Sequence, residues 1–142
     1  MPLSSPPALD AVRLSTAVER LFSLLRRELP PNDISLTAAS TLRRLELEGP
    51  RRLTELAAAE GVTQPAMTQL AQRLERDGLA ERAPDATDGR VVLVRVTDAG
   101  RDLLARRRAV RAAHLSALLS RLSADDEALI AAALPALERL AP

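Results

Sequence analysis

Gln64, Pro65, Thr68, Gln69, Gln72 and Arg73 recur at spacings of three and four within TQPAMTQLAQRLER, a stretch headed by Thr63. On a helix, such spacing gathers them on one face. Their chemistry is that of base-edge readers: Gln pairs bidentately with adenine, Arg with guanine, and Thr holds a phosphate or touches a thymine methyl. A helix with that face fits the major groove of DNA. The same polar face also suits the outside of an ordinary αα-hairpin, so its surroundings decide.

A second group lies in PDATDGRVVLVRVT, residues 84–97. Asp88-Gly89 is a strong hairpin signal, and the β-branched run over 91–96 reads as a strand. Arg90 then stands in solvent at the hairpin tip. Beside a reading helix such a tip is a wing. Its arginine can enter the minor groove, where negative potential is focused. Asp88 is placed to hold either the Arg90 side chain or the turn.

Other chemistry is sparse. His114 is the only histidine and there is no cysteine, which excludes catalytic triads, histidine-rich metal sites and disulfides. Phe22 is the only aromatic residue, so a stacking platform for single strands is excluded too. The chain reads as a non-enzyme without cofactor or metal. No apolar run is long enough for a membrane span, and a cytoplasmic location is expected.

The elements that must position these groups follow from periodicity. Leu14, Val18, Leu21, Phe22, Leu25 and Leu29 mark one helix face, and PPND ends that helix. Residues 1–7, rich in Pro and Ser, are expected to be disordered. A second helix is expected to follow Thr37, with Ala38, Ala39, Leu42 and Leu45 inward, and to stop at Gly49-Pro50. A third runs from Thr54, read as its N-cap, to Gly61; a fourth runs from Thr63 to Gly78 with Pro65 in its first turn. Small Ala57 and Gly61 make the tight turn between them. The hairpin pairs residues 79–83 with 91–96. A long helix from 98 or 99 to 122 follows, and then a last one capped by Ser123 and reaching about Leu140.

Charge speaks less clearly. Twenty arginines, no lysine and 19 acids leave a net charge of +1, and residues 53–98 alone hold five arginines against eight acids. DNA-binding modules are usually basic. Arginines at 43, 44, 51 and 52 before that segment, and at 101, 106, 107, 108 and 111 after it, can supply the difference. Arg108 and Arg111 of ARRRAVR read as a solvated helix face. The rival class is therefore a winged helix that contacts an acidic protein rather than specific DNA.

Residues 53–100 resemble the winged helix–turn–helix of the MarR family of transcriptional regulators. The resemblance rests on LTELA, GVTQPAMTQL, RLERDGLAER and above all DATDGRVVLVRVTDAG. In the last, Asp88, Gly89 and Arg90 match the wing, Arg82 the arginine closing its first strand, and Thr97 and Gly100 the end of the signature; Val96 stands where leucine is usual. The helix order matches from 12 to 140. The resemblance implies a mainly α, six-helix dimeric fold with a small β-hairpin wing, in three parts. Residues 1–34 form a tail and dimerisation helix, 35–98 the winged helix–turn–helix, and 99–142 the C-terminal dimerisation helices. It implies a homodimeric regulator, a repressor, on a pseudo-palindromic double-stranded operator, released by a small anionic or aromatic effector. His114 lies at helical spacing with Arg107, Val110 and Leu118. It reads either as a packed residue of the dimer face or, with Arg107, as a polar anchor for that effector.

Overall fold

The computed structural model describes residues 8–27 and 34–140. The expectations for residues 1–7, for Leu29 and for the PPND break lie outside them. Six helices and one hairpin follow in the order α1 (Ala11–Arg27), α2 (Leu36–Glu48), α3 (Leu53–Glu60), α4 (Gln64–Arg76), β1 (Ala80–Pro84), β2 (Val92–Val96), α5 (Asp98–Leu119) and α6 (Ala124–Leu140). This is the expected winged helix–turn–helix within a six-helix chain. No helix among the described residues is long and apolar enough to cross a membrane.

The helix starts follow from side chains that satisfy the orphan N–H groups of a first turn. Asp10 Oδ1 accepts from the N–H groups of Val12 and Arg13 at 2.9 and 3.2 Å. Ser35 Oγ accepts from Ala38 N–H at 3.1 Å, so α2 begins before Thr37 rather than after it. Thr54 is likewise not a cap. Helix α3 starts one residue earlier, where the N–H of Arg52 donates to Glu55 Oε2 at 3.1 Å. Helix α5 ends at Leu119, three residues short of expectation, and Ser123 Oγ accepts from Asp126 N–H at 3.1 Å to open α6.

The chain divides into two compact units, residues 30–109 and residues 1–29 with 110–142. In the first, Leu42, Leu45, Leu56, Met67, Leu74 and Val94 are fully buried and join α2, α3, α4 and β2 in one core. Each such leucine contributes about 2 kcal/mol by leaving water. Between α3 and α4, Gly61 takes the left-handed φ of +64° and Val62 N–H bonds to Ala57 O at 3.0 Å, with Ala57 buried beneath. The strands pair antiparallel from Ala80 opposite Val96 to Pro84 opposite Val92. A third short partner joins them: Arg51, between α2 and α3, exchanges both backbone hydrogen bonds with Val94, at 3.0 and 2.8 Å.

In the second unit, neither α1 nor α6 has a buried residue. Val12, Val18 and Phe22 on α1 and Leu129, Leu134 and Leu137 on α6 are all exposed. Apolar faces of this extent call for a partner surface.

Candidate nucleic-acid interface

Helix α4 buries Met67, Ala71 and Leu74, which leaves the opposite face free. Gln64, Pro65, Gln69, Gln72 and Arg73 are exposed there. Thr63 stands at the head as N-cap, its hydroxyl accepting from Ala66 N–H at 3.3 Å. Thr68 differs from its neighbours. It is half-buried and its hydroxyl donates to Gln64 O at 2.9 Å, so its methyl and a remaining lone pair are what it can offer. Gln69 and Arg73 also rim a shallow depression shared with Thr37, Val62, Ala66 and Leu70.

The hairpin follows α4 after a short turn and is fastened to it. Arg82 Nε donates to Glu75 Oε1 at 2.7 Å, which ties β1 to the last turns of α4. Thr97 Oγ1 donates to Gly78 O at 2.6 Å and accepts from Gly100 N–H at 3.1 Å, so one hydroxyl closes the α4–β1 turn and caps α5. At the tip, Asp88, Gly89 and Arg90 are all exposed. Asp88 O accepts from Val91 N–H at 3.0 Å and Asp88 Oδ1 from Arg90 N–H at 3.1 Å. Asp88 therefore holds the turn and leaves the guanidinium of Arg90 free of ion pairs among the described residues. Asp85 braces the tip's other side. The Thr87 N–H and then its hydroxyl hold the Asp85 carboxyl below the usual carboxylate range, with Asp88 N–H and the nearby Arg52 charge adding smaller pulls the same way.

These bonds decide which charges of the winged unit are already engaged. Residues 30–109 carry 13 arginines against 12 acids. Most of the acids are committed. Glu75 pairs with Arg82, Glu81 with Arg95, Glu46 with Arg108, and Glu48 and Glu60 with Arg44. Glu55 bonds a backbone N–H at the start of α3, and Asp85 and Asp88 bond backbone N–H groups in the hairpin loop. Arg73, Arg76 and Arg90 form no ion pair among the described residues. Arg76 is exposed on the same helix and is a further candidate for this face, which its place three residues beyond Arg73 could have signalled.

The basic stretch of α5 is the solvated face expected of it at Arg108 but not fully at Arg111. Arg108 is exposed but forks onto Glu46 at 2.9 and 3.4 Å, a bond that raises its pKa further. Arg111 is half-buried, and its Nε is buried without a hydrogen-bond partner among the described residues. Arg107 is buried on α5 in the winged unit, and His114 is half-buried on α5 in the other. Among the described residues no cluster of His, Asp or Glu has the makings of a metal site.

Comparison with known proteins points one way. A family model described as the MarR family matches residues 34–92. An HTH-type transcriptional regulator of Mycobacterium tuberculosis is 36% identical over 120 residues, 84% of either chain. The solved structure of the multiple antibiotic resistance repressor MarR is 27% identical with a TM-score of 0.74, over 94% of this chain and 96% of that one. A mutant of MepR from S. aureus, solved bound to an oligodeoxyribonucleotide, shares the fold at 22% identity and a TM-score of 0.69, over 93% of this chain and 97% of its own.

Proposed function

This chain belongs to the MarR family of transcriptional regulators, and from that premise we propose that it represses transcription as a homodimer on a pseudo-palindromic operator, in the bacterial cytoplasm. The observation that carries this reading is the pairing of one exposed face, Gln64, Gln69, Gln72 and Arg73, with an exposed tip arginine, Arg90, on a hairpin bonded to the same helix. The first gives major-groove readout by hydrogen bonds to base edges. The second gives a charge for the adjacent minor groove. Residues 35–98 are the reading module, with Arg82 and Thr97 as wing supports, and residues 1–34 and 99–142 join the two copies. A MepR mutant solved with bound oligodeoxyribonucleotide has the same fold, which supports DNA as the partner here.

In such a dimer the two reading helices enter successive major grooves about 34 Å apart, so the operator is an inverted repeat. Selection from a random duplex library tests this directly. Gln69→Ala and Arg73→Ala are each expected to relax base preference at defined symmetric positions, by about 1–3 kcal/mol. An unchanged sequence logo in both variants removes α4 as the reader. Failure to retain any duplex against random competitor DNA favours the acidic-protein partner instead.

The dimer has its own test. The exposed apolar faces of α1 and α6 are expected to be covered by a second copy. Sedimentation at micromolar concentration should give twice the chain mass, and a monomer there overturns the assembly. For release, we propose a small anionic or aromatic effector recognised through Arg107 and His114 of α5. Aromatic carboxylates that weaken operator binding in the wild type but not in His114→Ala support it; equal sensitivity of both removes His114 from that role.

A further inference from the structure

One chain of polar contacts in the winged unit is not absorbed by the reading face or the tip. Glu60, the last residue of α3, has a side chain only 9% exposed. Its Oε1 accepts from Ser40 Oγ at 3.1 Å and from Arg44 Nε at 3.4 Å. Arg44 Nη1 reaches on to Glu48 Oε1 at 2.7 Å, and the other oxygen of Glu48 accepts from Arg51 Nε at 3.3 Å. Arg51 is the residue whose backbone pairs both ways with Val94 in the middle of β2. The relay thus begins one residue before Gly61, at the entrance to α4, and ends on the strand that carries the Arg90 tip.

We propose that Glu48 is a positioning residue for the wing: through Arg44 and Arg51 it ties β2 to the end of α3, and so sets where the Arg90 tip meets DNA relative to the reading helix. The inference rests on the proposed DNA-reading role of that helix and tip. Each link is suited to the task. Glu60 is buried enough that its charge needs Arg44, which fixes the guanidinium at one end. The planar fork of Arg44 serves two carboxylates at once, which a lysine would not do in a fixed plane. Glu48 divides its two oxygens between two arginines, so it joins the α2–α3 side of the relay to the wing side. Among the described residues, the backbone pair at Arg51 and Val94 is the only β-bridge outside the hairpin strands. A tilt of the Arg51 segment is therefore passed to β2.

The sign of the effect separates this role from an idle surface acid. The side chains of Glu48 and Arg51 are 40% and 39% exposed, so their pair adds little to folding. Removing an idle acid from a DNA-binding unit raises its net charge and tightens binding. Removing a positioning residue loosens it. The test uses the full-length protein and a duplex selected as above, titrated at several salt concentrations with wild type, Glu48→Ala, Arg90→Ala and the double variant.

Glu48→Ala is expected to weaken binding about threefold to tenfold and to flatten the salt dependence in the same direction as Arg90→Ala. In the Arg90→Ala background it is expected to cost nothing more, since the tip it positions is gone. Equal or tighter binding by Glu48→Ala, or a loss that adds fully in the double variant, overturns the proposal. Wild-type binding by Arg90→Ala alone overturns the wing reading as well, and is told apart because it needs no Glu48 variant. Glu48→Gln keeps the size and one acceptor oxygen. It carries the same expectation with a smaller loss, so a folding defect in Glu48→Ala does not shelter the proposal.

Discussion

Arg90→Ala is expected to lose roughly a hundredfold in operator affinity while dimerisation and melting stay near wild type. The two halves of that result have separate causes. In the free protein the Arg90 side chain is exposed and makes no ion pair among the described residues, and exposed substitutions of that kind change stability by about 0.5 kcal/mol or less. The turn does not depend on it, because the bonds at the tip run from Asp88 to the backbone N–H groups of Arg90 and Val91. On DNA the same guanidinium meets the focused potential of a minor groove. A hydrogen bond made by a charged group contributes about 1.5 kcal/mol or more. Two wings on one operator then amount to about 3 kcal/mol, or two decades at 1.4 kcal/mol per decade. The salt slope should fall by up to about two units as two charges no longer displace counterions. Asp88→Ala is expected to act in the same direction but less, through a loosened turn rather than a missing charge. Titrations at several salt concentrations, with a melting curve for each variant, check all of this. An Arg90→Ala protein with unaltered affinity and slope removes the hairpin from the DNA interface.

The reading face was legible because α4 is strongly amphipathic: burying Met67, Ala71 and Leu74 leaves Gln69, Gln72 and Arg73 no place but outside. The hairpin was legible for a similar reason, a β-branched run behind an Asp-Gly turn. Helix starts were harder wherever two capping residues lie close together. Ser35 and Thr37 are both good caps, and only the backbone decides that Ser35 serves. What the sequence hid were contacts fixed by tertiary geometry. Glu75 and Arg82 meet at 2.7 Å across a turn whose path no periodicity describes. The pairing of Arg51 with Val94 is a single residue long and leaves no pattern to read. Charge counting misled for the same reason. Five arginines against eight acids over residues 53–98 looked unfavourable to DNA, yet several of those acids are bonded to arginines or backbone N–H groups, while Arg73, Arg76 and Arg90 form no ion pair among the described residues.

Gly100→Ala is expected to destabilise the fold, although helix propensity argues for the opposite. Gly100 lies in the first turn of α5, and an alanine inside a helix ordinarily gains about 1 kcal/mol over glycine. Here the added methyl has no room. A Cβ built on Gly100 would overlap the carbonyl oxygen of Leu79 and stand 2.7 Å from Val96 Cγ2. Val96 could turn aside, but a backbone carbonyl cannot rotate out of the way, least of all this one, which accepts from Thr97 N–H at 3.1 Å. The start of α5 would have to lift from the α4–β1 turn. That movement would strain the Thr97 hydroxyl, which bonds Gly78 O on one side and Gly100 N–H on the other. Overpacking against a fixed wall costs about 3 kcal/mol, more than the helix gain. Net of that gain about 2 kcal/mol is lost, which at this chain length corresponds to a fall of roughly 8 °C in melting temperature. Because the strained contacts are those that seat the wing beside α4, operator binding should weaken even at temperatures where the variant is folded. Melting curves and a low-temperature operator titration read the two effects separately. A Gly100→Ala protein that melts at or above the wild-type temperature shows that α5 can shift without cost, and the close packing of α5 on Leu79 then has no part in holding the wing.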